Sequence, residues 1–182
     1  MRRNASATQT QIGFTLMELI VAVAILSILT TLAVPSYRTM MANNQGATNA
    51  NALIQALTLA RSEAIKRNRT VVICKSTTGT SCDTSASVTW DRGLVTFVDA
   101  NVNGALDSGE VVIRADYPFV KESAIYFPLS TNGLNSVSYS PSGLGSVASS
   151  TTGGTFTLRP NGSSGQDKTV ILSSVGRPRI GP

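Results

Sequence analysis

Gly13-Phe14-Thr15-Leu16-Met17-Glu18-Leu19 joins a short polar leader to a long apolar run, and its reading decides how the rest of the chain folds. From Phe14 to Val34 the only charged residue is Glu18. About 20 apolar residues in a helix span the hydrocarbon core of a bilayer, so this run is long enough to cross a membrane. A carboxylate inside such a run is costly unless something pairs with it, which makes Glu18 a functional candidate.

The leader, residues 1–13, carries Arg2 and Arg3 and is otherwise mostly Asn, Ser, Thr, Gln and Ala. A secretory signal has its cleavage site after the apolar region. Here the cut that the residues suggest, Gly13–Phe14, lies before it, and would leave the apolar segment on the mature chain. In these residues the chain resembles the type IV pilin and pseudopilin family, whose signal is a basic leader ending in Gly, then an aromatic residue, then a Glu five residues into the mature chain. Gly13, Phe14 and Glu18 match the three positions. The plain alternative is an N-terminal membrane anchor with an incidental Glu.

The resemblance implies cleavage after Gly13 by a prepilin peptidase and N-methylation of Phe14. It also implies a single-pass stay in the inner membrane with the head in the periplasm, then extraction into a filament at the cell surface. Other pilins would be partners through the N-terminal helix. In the filament core the N-terminal ammonium of one subunit would pair with Glu18 of a neighbour, because either charge buried alone costs several kcal/mol. Glu18 would then set the register of assembly.

The chain has 182 residues, which suits one membrane helix and one small head. It carries 15 basic and 10 acidic residues, a formal +5; without Arg2 and Arg3 the count is 13 against 10, or +3. That mild excess does not by itself argue for nucleic acid. There is no His, so the commonest acid/base and zinc-binding side chain is missing. Cys74 and Cys82 are eight apart, which excludes a C-x-x-C motif. If the head lies outside the inner membrane, the two are expected to form a disulfide closing a small polar loop; two free buried thiols are the alternative.

Helical spacing continues past Pro35, where a kink is expected. Leu53, Ile54, Leu57, Ala60, Arg61, Ala64 and Ile65 form a stripe that should pack onto the head. Gly46, inside a weakly helix-forming stretch, suggests a local bend. A helix over 14–67 would be roughly 80 Å long, with 14–34 as its membrane or filament-core segment. From residue 68 to 182 the pattern is β: short runs at 70–74, 88–90, 94–98, 111–114, 124–127, 137–139, 155–159 and 169–174, divided by Gly, Ser, Asn and Pro clusters. The Ser/Gly-rich tract 140–154 reads as a mobile loop. The expected fold is therefore α+β, a long N-terminal helix packed on an all-β head of about seven or eight strands.

Two segments of the head narrow the resemblance. Trp90-Asp91-Arg92-Gly93 and the following strand, which runs into an Asp/Asn/Gly-rich turn, resemble the GspH and FimT groups. Val175-Gly176-Arg177-Pro178-Arg179 resembles the Gly-Arg-x-Arg ending of FimT, minor pilins linked to DNA uptake in natural transformation. Residues two apart in an extended segment face the same way, so Arg177 and Arg179 can reach one nucleic-acid backbone. Pro178 would hold them extended, and Gly176 would let the backbone approach closely. Arg159 and Lys168, on the neighbouring strands or the loop between them, are candidates to extend the patch. Contacts to phosphates give salt-sensitive binding to double-stranded DNA of any sequence. The alternative is a solvated basic tail.

Residues 99–110 also fit a twelve-residue calcium loop, with Asp99, Asn101, Asn103, Asp107 and Glu110 as candidate metal ligands and Gly104 at the turn. Strand-like runs flank it where helices are needed, so a hairpin without stoichiometric calcium is the competing reading. No phosphate loop, nucleophile elbow or C-x-x-C site stands out, and neither an enzyme nor an organic cofactor is expected. The function expected is that of a DNA-binding minor pilin. Its rivals are a structural GspH-like pseudopilin of a type II secretion system and a calcium-stabilised subunit for priming or adhesion at a pilus tip.

Overall fold

A computed structural model describes residues 13–85, 87–116, 119, 123–126, 135–147, 153–160 and 165–181. The first twelve residues of the expected leader therefore lie outside the description. The chain divides into two compact units, Met1–Arg38 and Thr39–Pro182.

Helix α1 runs from Leu16 to Arg67 and supplies secondary structure to both units. Its start is set by Thr15, whose Oγ1 accepts the Glu18 N–H at 3.2 Å. Thr15 thus holds the N-cap place, with Glu18 at N3. The Glu18 carboxylate also lies in the first turn, where the helix dipole favours a negative charge. In the first unit the apolar side chains of α1, such as Leu16, Leu19, Val23, Leu26 and Leu29, are exposed. The segment is long and apolar enough to cross a membrane. Ser27, Thr30 and Thr31 donate their hydroxyls to the carbonyls of Ala24, Ser27 and Ile28 at 2.7–2.9 Å, so these polar groups are satisfied within the helix. Pro35 lies inside α1 without ending it.

In the second unit α1 buries Gly46, Asn49, Ala50, Leu53, Ala56, Leu57, Ala60 and Ala64. Most of the stripe expected from the sequence is there, except that Ile65 is 51% exposed. The helix continues through the expected bend at Gly46. It stops at Asn68, which takes a left-handed φ of 51°. The N–H groups of Asn68 and Arg69 donate to the carbonyls of Ile65 and Ala64 at 3.3 and 3.2 Å. This double closure is a Schellman motif with Asn in the place usually held by Gly.

Among the described residues there are nine strands: β1 (Val71–Lys75), β2 (Leu94–Val98), β3 (Val111–Asp116), β4 (Ser123–Tyr126), β5 (Ser136–Tyr139), β6 (Gly145–Val147), β7 (Gly154–Pro160), β8 (Lys168–Leu172) and β9 (Pro178–Ile180). One antiparallel sheet has the order β3-β2-β1-β5-β6 and the other β4-β7-β8-β9. Two strands lie where none was expected. β6 sits inside the tract read as a loop, of which 148–152 fall outside the description, and β9 contains Arg179. The run at 88–90 is not a strand: Trp90–Arg92 is a short 3-10 helix. It places Trp90 edge-on against Phe156 of β7, with ring centroids 5.2 Å apart.

One core joins the second half of α1 to both sheets through Leu53, Leu57, Val71, Ile73, Val137, Phe156, Leu158, Val170 and Leu172. Burying each large aliphatic side chain contributes about 1.5–3 kcal/mol. The other face of the first sheet carries a smaller cluster of Val72, Cys74, Val95 and Phe97, partly covered by Cys82 and Leu106. Strand β1 is consequently buried on both faces, which is why its sequence reads as a continuous apolar run.

Candidate functional site

The arginines belong to a hairpin, not a tail. β9 is an edge strand that pairs with β8 in the register Val170 with Ile180, Ile171 with Arg179 and Leu172 with Pro178. The turn is closed by the Ser173 N–H donating to the Arg177 carbonyl at 3.0 Å and the Arg177 N–H donating to the Ser173 Oγ at 3.1 Å. Val170 and Leu172 face the core. By strand alternation Ile171, Arg179 and Arg177 therefore share the outer side. Both arginines are exposed, and among the described residues no acidic side chain pairs with either.

The wider basic patch does not form. Arg159 shares the outer face of β7 but pairs with Asp167, Nε to Oδ2 at 3.2 Å. It also lies four positions along and two strands across from Arg179, roughly 13 Å by 10 Å at ordinary sheet spacings. Lys168 has the parity of Val170 and Leu172, so it sits on the core side of β8, opposite Leu158. Neither extends a surface with Arg177 and Arg179.

Gly176 has a different part from the one expected of it. It is buried and holds φ +75°. A methyl group there would lie 2.5 Å from the Gly145 nitrogen and 2.7 Å from the Gly143 carbonyl oxygen. The close approach that requires glycine is to the chain's own β5–β6 turn, and no nucleic acid can use it.

The loop of residues 99–110 links β2 to β3 and brings the five candidate ligands together, bonded to one another and to backbone. Asp99 accepts the N–H groups of Asn103 and Gly104 at 3.2 and 2.8 Å. Glu110 accepts those of Ala100 and Asp107 at 2.8 and 3.1 Å. Asp107 Oδ2 accepts the side-chain amides of Asn101 and Asn103 at 2.9 and 2.7 Å, and these bonds hold its carboxyl below its ordinary range. The amide oxygens of Asn101 and Asn103 in turn accept the N–H groups of Asn103 and Ala105. In this arrangement the asparagines turn their side-chain nitrogens toward Asp107, and the five side chains satisfy one another and the loop backbone. They fit a hairpin capped by its own side chains, tight enough to keep Val102 at φ 60°.

Cys74 and Cys82 are disulfide-bonded, with Cα atoms 5.6 Å apart. Beside them sits a residue that the sequence did not point to. Lys75 is 3% exposed, and its Nζ donates to the carbonyls of Ser85 and Val88 at 2.9 and 2.7 Å. Burial pushes its ammonium pKa down, and the nearby Asp83 opposes this. Alternation of a short strand gives no sign that its last cation turns inward.

The model of the type II transport protein GspH family matches residues 49–176, and that of the prokaryotic N-terminal methylation motif matches residues 9–34. Among solved structures the chain is similar to the type IV minor pilin FimU of Pseudomonas aeruginosa in two crystal forms. One gives a TM-score of 0.57 at 21% identity, covering 76% of this chain and 90% of that chain. The other gives 0.53 at 20% identity, covering 75% and 92%. The minor pseudopilin EpsH of the Vibrio cholerae type 2 secretion system follows, with a TM-score of 0.49 at 15% identity, covering 75% and 95%. At these identities the likeness to FimU is one of fold. Arg177 and Arg179 lie just beyond the span that the GspH model matches.

Proposed function

We propose, for a chain that belongs to the GspH family of pilin-like proteins, service as a minor pilin of a type IV pilus that binds duplex DNA during uptake. The observation that carries this reading is the β8–β9 hairpin. It presents two guanidiniums, Arg177 and Arg179, on one outer face at a sheet edge, with no acidic partner among the described residues. Guanidiniums so placed suit phosphate oxygens, and contacts of this kind ignore base sequence. Cleavage between Gly13 and Phe14 and methylation of Phe14 would prepare the subunit in the inner membrane, with its head in the periplasm. Glu18 would then pair with the N-terminus of a neighbouring pilin.

The test is genetic. In a host deleted for this gene, complementation with R177A/R179A should restore piliation but not uptake of labelled duplex DNA. If deletion abolishes protein secretion and leaves uptake intact, the chain is instead a structural pseudopilin of a type II secretion system.

A further inference from the structure

We infer that Arg61, more than a hundred positions from the arginine hairpin, is a positioning residue for it; the inference rests on the DNA-binding reading above. Arg61 is half-buried on α1, and its Nε donates to the Gly143 carbonyl at 2.9 Å. That carbonyl belongs to the β5–β6 turn, which is closed by the Gly143 N–H to the Ser140 carbonyl at 2.8 Å and the Ser140 N–H to the Leu144 carbonyl at 3.0 Å.

The β8–β9 turn rests directly on this one. A methyl on Gly145 would lie 2.9 Å from the Gly176 Cα. The two turns meet backbone to backbone, with no flexible side chain between them to absorb a shift. Tyr139 closes the junction, its Cε1 about as near to the Gly145 and Gly176 methyl positions, 3.2 and 3.1 Å. Its phenol is buried without a hydrogen-bond partner among the described residues. Packed interiors transmit displacement because they are dense and weakly compressible.

Gly176 is followed at once by Arg177, whose N–H and carbonyl are both fixed to Ser173. The direction in which Arg177 and Arg179 leave the hairpin is therefore set by a relay: the Arg61 guanidinium, the Gly143 carbonyl, the Gly145–Gly176 contact, the hairpin. A hairpin backbone already held in place spares part of the ordering cost when its two arginines grip one phosphate backbone.

The experiment uses the full-length chain in detergent with a short DNA duplex as probe. R61M removes the donor and the charge, whereas R61Q removes the charge but retains an N–H near the place of Nε. G176A pushes the hairpin off its seat without touching any charge. R61M and G176A are expected to weaken binding by about tenfold, and R61Q to stay within about twofold of the unaltered chain. Hydrogen exchange should show the Gly176 and Arg177 amides losing protection in R61M while the β7–β8 ladder keeps its own. Equal loss in R61M and R61Q with hairpin protection intact would mean that Arg61 itself touches phosphate, and would overturn the positioning role. So would an R61M that binds as the unaltered chain does. Failure of the unaltered chain to bind DNA would sink the DNA-binding reading instead, and the exchange result alone would then decide the relay.

Discussion

The Lys75 ammonium lies inside the head and donates to the Val88 carbonyl at 2.7 Å, tying the segment after the disulfide to the end of β1. The same nitrogen holds the Ser85 carbonyl. Removing it takes a donor from the Val88 carbonyl, while the Ser85 carbonyl keeps the Val88 N–H at 3.2 Å. Lys75→Met is expected to destabilise the protein by about 2 kcal/mol, within the range for a charged hydrogen bond lost from a buried site. Urea unfolding followed by Trp90 fluorescence would measure this, and an unchanged midpoint would show that the ammonium contributes nothing.

Reduction of Cys74–Cys82 should act on the same region. The bond closes a loop of eight residue steps. In the loop-entropy account its loss costs about 2–3 kcal/mol. Unfolding midpoints with and without reductant test this. Reduction should leave the core around Trp90 and Phe156 intact in native buffer, since those rings pack on the opposite side of the first sheet from Cys74.

Acid should loosen the 99–110 hairpin. Hydrogen bonds from Asn101 and then Asn103 lower the Asp107 pKa from its ordinary 3.8. A carboxyl depressed in the folded state contributes stability above its unfolded pKa and loses it as pH falls through the folded value. The contribution should therefore be full above about pH 4 to 5 and fade below the ordinary pKa. In Asp107→Asn this part of the pH dependence should be absent. Chelators should leave the melting temperature of the unaltered chain where it is; a drop on chelation, restored by calcium, would contradict the hairpin account.

Glu18 combines a local part and a proposed assembly part. Its backbone N–H is capped by Thr15, and that bond survives Glu18→Ala. The substitution should therefore leave α1 and membrane insertion intact while excluding the subunit from filaments. Sheared filaments and membrane fractions, probed for the subunit, test this. Normal incorporation would remove Glu18 from the assembly account.

The long helix was legible because its signals are local: an uninterrupted apolar run, then a 3.6-residue stripe ending in Ala60 and Ala64. The strands with β-branched runs, β1 and β2, were legible for the same reason. β6 and β9 were not, since Gly-Ser-Val and Pro-Arg-Ile have little strand propensity and owe their conformation to the neighbours they pair with, β5 and β8. Trp90 read as the end of a strand because it is apolar and follows Val88, but its ring is needed against Phe156 and a tight helical turn delivers it there. At the candidate site, the pairing of Arg177 with Arg179 follows from alternation alone. The exclusion of Lys168 and the neutralisation of Arg159 depend on register across β7 and β8, which no single strand reveals. The seat of Gly176 on Gly145 depends on the meeting of two turns about 30 residues apart in sequence and is likewise invisible in either.

The measurement that tests the central claim most directly is a titration of the full-length chain with duplex DNA across a salt series, beside Arg177→Ala, Arg179→Ala and the double variant. Binding should weaken as salt rises, each single substitution should flatten the log–log slope by about 0.9, and the double variant should not bind. A folded chain that ignores DNA at low salt, or a double variant that binds as well as the unaltered chain, would contradict the account.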